Sequence, residues 1–472
     1  MSFITYQFSI FFLIVLLIYF LLKHKQQNIF LLVASYVFYA YWDWRFSFLL
    51  TIPTVTDYFC GLMIEKRKEY KEKWRYLAFS LTVNLSVLVF FKTSNFFIAE
   101  FNNMLGRLGF NAYMLHLNII LPLGISFYTF KSLSYTIDIY RGHLKPVRNF
   151  LDYALFVSFF PSLLAGPIER AGNFLPQIQK KRTVTWEDIR LGLHLMYWGA
   201  FKKIFIADNC APYVYNVLGH PLGYSGGEIL VALYAAAFRL YCDISGYTDI
   251  ARGLAKCMGF NLSINFDLPY FAKNISEYWR KWHMSMTYWF RDYVFFPLLA
   301  CTKGNAYFSS FITLLCISLW HSICLSSVWR GIYYGLAVSI YQLYKKKRTS
   351  SGLDEGNKVR QAILGFVSRI ATFHVVCIGG IFFYNIEVRR IVGLLARVLT
   401  DFNASIFITC LWRLFGFVWM LVLVELLQAA RKDEFILLKM NIFFRVVLYW
   451  LMFWFLFGGG GGLGTPFIYF RF

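Results

Sequence analysis

Long apolar runs separated by short basic connectors repeat from one end of this chain to the other. They include Phe8 to Leu22, Ile29 to Tyr41, Phe46 to Ile64, Tyr76 to Phe91, Ile119 to Leu133, Ile229 to Leu240, Ala362 to Phe383, Ile406 to Leu427 and Phe443 to Phe457. About 20 helical residues cover the ~30 Å of hydrocarbon in a bilayer, so several of these runs can each cross one. With shorter or interrupted runs included, roughly ten to twelve crossings are expected. The pattern predicts an all-α multi-pass membrane protein built as a single integral-membrane domain over residues 1–472, with no internal repeat. The first run has the length of a signal peptide, but no basic residue precedes it and no small-residue cleavage site follows before Lys23-His24-Lys25, so it reads as a retained first helix.

One run breaks the regularity. From Tyr307 to Tyr344 the chain is almost continuously apolar, and as a single helix it would extend ~57 Å, too far for one simple crossing. It must break, tilt strongly or fold into a hairpin, and Ser322 to Ser327 and Arg330-Gly331 are the places where it can do so. Irregular backbone at membrane depth survives only where protein or a water-filled cavity satisfies it. The most polar connector, about Lys345 to Arg360, reads as a cytoplasmic loop, and the pentaglycine Gly458 to Gly462 ends the last span, leaving a short aromatic tail, Phe467 to Phe472, on the outer side.

Composition agrees with the pattern: 58% of the residues are hydrophobic, 21% aromatic and only 15% charged, which excludes an ordinary soluble domain of this length. The net charge of +22 does not point to nucleic acid, because the basic residues sit in the connectors and mark the cytoplasmic side. Their clusters are Lys23/Lys25, Lys66 to Arg75, Arg141 to Arg148, Lys180-Lys181-Arg182, Lys345 to Arg348 and Arg431-Lys432. That assignment alternates consistently over the first five spans with the amino terminus outside, and it requires residues 152–178 to dip into the membrane and return. Nine cysteines lie scattered, with no C-x-x-C pair, so neither a disulfide framework nor a metal site is expected.

Four constellations carry candidate chemistry. His321, in Ser318-Leu-Trp-His-Ser-Ile-Cys324, is an ionisable ring inside an apolar run, a functional site by default. In a helix Ser318 and Cys324 would share its face and leave room beside a neutral, proton-accepting imidazole; a buried histidine bonded to a neighbouring helix is the structural alternative. The stretch Glu277 to Asp292 (EYWRKWHMSMTYWFRD) is far more polar than its surroundings. As one helix it would place Arg280, His283, Thr287 and Arg291 near one face, either as a cationic wall for an anionic donor or as an interfacial anchor. Asp243 and Asp249 fall where an apolar helix is expected to end, and two acids there call for partners such as Arg239, Arg252 or Arg280. Gly166-Pro-Ile-Glu-Arg170 suits a re-entrant turn or a plain loop.

Pro122-Leu-Gly-Ile-Ser-Phe-Tyr-Thr-Phe130, Phe159 to Arg170, Phe201-Lys-Lys-Ile-Phe-Ile-Ala-Asp-Asn209, Asp243-Ile-Ser-Gly-Tyr-Thr-Asp249, Glu277 to Asp292 and Leu319-Trp-His321, in this order, together resemble the membrane-bound O-acyltransferase family. The likeness is greatest to the bacterial branch of alginate O-acetyltransferases and the teichoic-acid D-alanylation acyltransferase. The resemblance implies re-entrant or interfacial helices around a central tunnel, with acyl transfer from a cytoplasmic thioester donor to an acceptor outside. It places the tunnel histidine at His321 and a second, cytoplasmic-side histidine at His283. Trp279, Arg280, Lys281 and Trp282 fall in the same motif, so they, with Asp243, Asp249 and Arg291, are candidates for donor binding.

Acetyl-coenzyme A or another acyl thioester is then a substrate, and no bound cofactor is implied. The expected partners are an acyl-CoA or acyl-carrier donor, a serine-hydrolase-like (SGNH) extracytoplasmic acetyltransferase, a cell-envelope polysaccharide and the lipid bilayer of a bacterial cytoplasmic membrane. D-Alanyl transfer from a carrier protein is the alternative within the enzyme class, and a transporter with an intramembrane His/Asp relay the alternative outside it. Ser322, where the family more often has glycine, and Arg330, where an apolar residue is more usual, are departures that bear on the width of the tunnel.

Overall fold

A computed structural model describes residues 1–108, 119–220, 223–350, 358–384, 386–458 and 465–468. Among them the secondary structure is entirely helical. Five helices are long and apolar enough to cross a membrane, and three more, Tyr6–Leu21, Ala306–His321 and Ile442–Gly458, are apolar but shorter. The all-α multi-pass expectation is borne out.

The chain divides into two compact units: Met1–Met196 with Thr248–Ser263, and Tyr197–Tyr247 with Ile264–Phe472. In the first, α1 (Tyr6–Leu21), α2 (His24–Ala40), α3 (Phe46–Lys66) and α4 (Tyr70–Arg107) are followed by α5 (Ile125–Tyr140). Over residues 152–178 run α6 (Phe150–Ser158), α7 (Phe160–Leu163) and α8 (Ala171–Gln179), all far too short to span a bilayer. Gly124 precedes α5 with φ +76°, and a Cβ there would run into the carbonyl oxygen of Leu163; one at Gly166 would meet Ser162 Cα at 2.5 Å. These glycines let the start of α5 and the chain after α7 approach α7 closely. Beneath them Lys131 Nζ donates to Ser162 Oγ (2.6 Å), and Glu169 accepts from Ser263 N (2.6 Å). Burial raises the Glu169 pKa, against the opposing pull of Ser263, Lys131 and Arg252.

The first unit ends within α9 (Trp186–Ala200). The second unit begins at Tyr197, and α9 is followed by seven residues of π-helix, Phe201–Ala207, before α10 (Asp208–Gly219). Next comes α11 (Gly226–Cys257), buried along most of its length. The Glu277 to Asp292 stretch is two short helices, α12 (Ile275–Lys281) and α13 (Met284–Phe290), followed by a π-helical turn and α14 (Phe296–Cys301).

The long apolar run is a hairpin. α15 (Ala306–His321) and α16 (Leu325–Ser350) are joined by three residues and pack antiparallel, Gly331 and Gly335 of α16 lying against Leu315 and Phe311 of α15. The break falls at Ser322, within the stretch where the sequence places it. α16 carries on as helix through Ser350, and α17 (Lys358–Gly380) begins at Lys358, so both helices reach into the stretch expected as a cytoplasmic loop; positions 351–357 of that stretch lie outside the described residues. α18 (Val388–Thr400), α19 (Ala404–Arg431), α20 (Ile436–Lys439) and α21 (Ile442–Gly458) complete the unit. α21 ends at the first residue of the pentaglycine, as expected; the remaining four glycines lie outside the described residues.

Candidate active site around two histidines

His321 is the last residue of α15, 5% exposed. Its backbone is helical and that of Ser322 extended (φ −155°, ψ 146°), so Cys324 is not on its helical face, contrary to the expectation from spacing. Ser318, one turn earlier, does share that helix. The short connector is held by hydroxyls: Ser322 Oγ and Ser327 Oγ lie 2.7 Å apart, with Cys324 Sγ 3.5 Å from each. Arg330, 2% exposed, closes the hairpin. Its Nη2 donates to the Ser318 carbonyl (2.7 Å), and its guanidinium lies 3.9 Å from the Phe383 ring centroid. Phe383 also packs edge-on against His321 at 5.1 Å. The departure at Arg330 thus ties the turn before His321 to α16 and to the residues after α17.

His283 belongs to the break between α12 and α13. The helix expected across Glu277 to Asp292 stops because Trp282 is extended (φ −99°, ψ 124°) and His283 is left-handed (φ 43°, ψ 55°), a conformation that non-glycine residues seldom adopt. A distant residue, the buried Asn265, supplies the reason. Its carbonyl accepts from Met284 N (2.7 Å), and its side-chain Oδ1 accepts from Ser285 N (3.1 Å) and Ser285 Oγ (2.8 Å). It satisfies the first amides of α13 from a distant position, the work an N-cap residue performs from the flank of its own helix.

As a result Arg280, His283 and Arg291 do not form one cationic face. His283 is 1% exposed, whereas Arg280 and Arg291 are exposed, Arg291 pairing with Asp292 (2.7 Å) and lying over Tyr288. Lys281 is half-buried and pairs with Glu277 (3.7 Å) and Asp267 (3.8 Å). Trp282 is buried among Phe266, Tyr278, Tyr241 and Tyr270, and Trp279 packs edge-on against Tyr334 at 5.1 Å.

The indole of Trp320 joins the two histidines. It lies 4.6 Å from the His321 ring and 6.4 Å from the His283 ring, the latter at 89°. Two imidazoles from separate motifs thus contact one indole inside a buried aromatic cluster. A neutral histidine there can take a proton while the surrounding rings exclude water that would compete as acceptor.

Burial pushes the His283 pKa down to about 4, so this ring is neutral at pH 7. The unfolded chain binds its proton near pH 6.5 and the folded chain only near 4, so stability rises with pH through that window. The contribution is fully present above about pH 6.5 and falls away as pH drops toward 4, a loss on the order of 3 kcal/mol over the whole interval. Thermal midpoints of the purified protein at pH 5 and 7.5 should differ more for the wild type than for His283→Asn, which keeps a side chain tolerant of positive φ.

Asp243 and Asp249 are not at a helix end: α11 continues to Cys257. Asp249, in the first unit, pairs with Arg252 at 3.4 Å, one of the expected partners. Asp243 is instead held by Lys203, whose Nζ is 2.7 Å from Asp243 Oδ1 and 2.7 Å from Asp208 Oδ1. The same ammonium donates to the Thr465 carbonyl (2.9 Å), and Asp243 Oδ2 accepts from Ile468 N (2.7 Å), so the carboxy-terminal tail is pinned to a buried charge cluster. Gly246 makes the approach possible, since a Cβ there would meet the Gly199 carbonyl oxygen at 2.7 Å and Lys203 N at 3.1 Å. Reasoning from spacing missed Lys203, Asp208 and Asn265. A lysine within the apolar run Phe201 to Ala207, five residues before an acid, was the available signal for the first two.

Residues 38–383 match the membrane-bound O-acyltransferase family. The chain is 37% identical over 326 residues to a probable alginate O-acetylase AlgI of Pseudomonas putida, covering 68% of this chain and 67% of that protein. It is 32% identical over 363 residues to a peptidoglycan O-acetyltransferase of Helicobacter pylori, covering 69% and 67%. To a teichoic acid D-alanyltransferase of Bacillus subtilis it is 29% identical over 274 residues, covering 56% and 68%.

Proposed function

Since the chain belongs to the membrane-bound O-acyltransferase family, we propose that it moves an acetyl group from a cytoplasmic thioester, acetyl-coenzyme A, through its interior to a cell-envelope polysaccharide. The acceptor takes the group outside a bacterial cytoplasmic membrane, directly or through a serine-hydrolase-like partner. The observation that carries this reading is the pair of buried imidazoles, His321 and His283, both packed against Trp320. In this reading His321 removes the proton from the attacking hydroxyl as it adds to the thioester carbonyl, and the donor's thiol leaves. His283 and the aromatic cage around Trp282 orient the acyl group on the donor side. Transferring only the acyl group avoids carrying a charged donor across hydrocarbon.

Acetyl is favoured over D-alanyl because the O-acetylating relatives match more of this chain at higher identity than the D-alanyltransferase does. Family membership leaves a pure transporter without support. Purified protein in liposomes, offered acetyl-coenzyme A labelled in the acetyl group and, separately, a labelled aminoacyl carrier protein, distinguishes the two donors. Label released to a hydroxyl acceptor from acetyl-coenzyme A alone is expected; transfer from the aminoacyl carrier alone overturns the acetyl reading.

A further inference from the structure

The first unit holds a buried polar node that acyl transfer does not use. Asp57 lies within the spanning helix α3 and is 0% exposed. Its Oδ2 accepts from Asn84 Nδ2 of α4 (2.8 Å) and from Ser132 Oγ of α5 (2.5 Å). Ser132 Oγ is in turn 2.9 Å from Tyr153 Oη of α6, and Ser80 Oγ of α4 is 3.0 Å from Thr136 Oγ1 of α5. Asn84 Nδ2 also donates to the Ser80 carbonyl (2.9 Å), which fixes the amide with its nitrogen toward the two acceptors.

Two oxygens are left over. Asp57 Oδ1 and Asn84 Oδ1 are both buried and accept no hydrogen bond among the described residues. No Lys, Arg or His of the described residues pairs with Asp57, whose neighbours are the Ser132 and Ser80 hydroxyls and the Asn84 amide. Arg148, whose carbonyl accepts from Tyr58, pairs with Glu65 at 2.6 Å, and the other titratable side chains facing the Asp57 carboxyl are Cys60, Tyr135 and Tyr153. A carboxylate buried without a counter-charge, beside an amide oxygen without a donor, is an arrangement that helices in lipid do not sustain alone.

We propose that Asp57 Oδ1 and Asn84 Oδ1, with the hydroxyls of Ser80 and Thr136, bind one monovalent metal cation that locks α3, α4 and α5 together. The ligands are all hard oxygens, which suit a hard, non-transition cation. The single carboxylate selects a charge of +1, because a divalent ion would leave a net positive charge in the same buried place.

The test uses the full-length purified protein in detergent with sodium as the probe. Equilibrium binding of ²²Na⁺ should saturate at one ion per chain, and the thermal midpoint should rise with NaCl when choline chloride holds the ionic strength constant. Asp57→Asn should abolish both responses, and Asn84→Ala, which removes one ligand oxygen, should weaken binding about tenfold or more. The Asn84 variant keeps the test meaningful should Asp57→Asn fail to fold. Absence of saturable binding to the wild type overturns the proposal, and so does binding that persists in both variants. A midpoint that follows pH while ignoring sodium and potassium assigns the node to a proton instead and overturns it equally.

Discussion

Replacing His321 by alanine is expected to lower acyl transfer by about 10²- to 10⁴-fold, the range that positioned acid–base groups supply, while the protein stays folded. The side chain is at the end of α15, next to a connector secured by Ser322, Ser327 and Arg330. Those ties remain when the imidazole is removed. His321→Gln, which keeps bulk and polarity but cannot take a proton, should be as inactive as the alanine variant. Turnover with labelled donor measures the first effect, and the thermal midpoint of the purified variants measures the second. Wild-type transfer by either variant would refute the assignment of His321 as the base. A matching collapse of the midpoint would mean that the imidazole is structural.

The largest stability effect is expected at Lys203. Its ammonium is fully buried and bridges Asp208 and Asp243 while donating to the Thr465 carbonyl. Lys203→Met fills much the same space but leaves two carboxylates buried together without the charge between them, and breaking such a cluster from one side costs about 3–5 kcal/mol. Thr465 Oγ1, which donates to Asp208, and Ile468 N, which donates to Asp243, should lose their fixed acceptors together. The tail should then become sensitive to protease as the thermal midpoint falls. Adding Asp243→Asn to Lys203→Met should recover part of the loss, because the amide oxygen still accepts from Ile468 N and one stranded charge is gone. If the double variant is no more stable than the single one, charge compensation is not what holds this cluster.

The sequence alone determined the class of the molecule, its family and the burial of one catalytic candidate. Long apolar runs can only be helices where lipid is the solvent, and the excess length of Tyr307 to Tyr344 forced a break that falls at Ser322, right after His321. Those inferences draw on length and local pattern, which the chain carries in its own order.

Tertiary structure decided which residues meet. The Trp-rich stretch reads as one helix because its periodicity is local; it breaks at Trp282 and His283 because Asn265, nearly twenty positions upstream, satisfies the amides of a new helix. The acids of α11 read as a helix end because a carboxylate within an apolar helix is costly, yet the helix continues because Lys203 reaches Asp243 across the gap that Gly246 leaves open. The contact of His283 and His321 with the same indole, Trp320, was equally invisible in the one-dimensional order. Periodicity describes neighbours three and four residues apart, whereas a buried charge or a strained backbone is stabilised by a partner whose distance along the chain is unrelated to its distance in space.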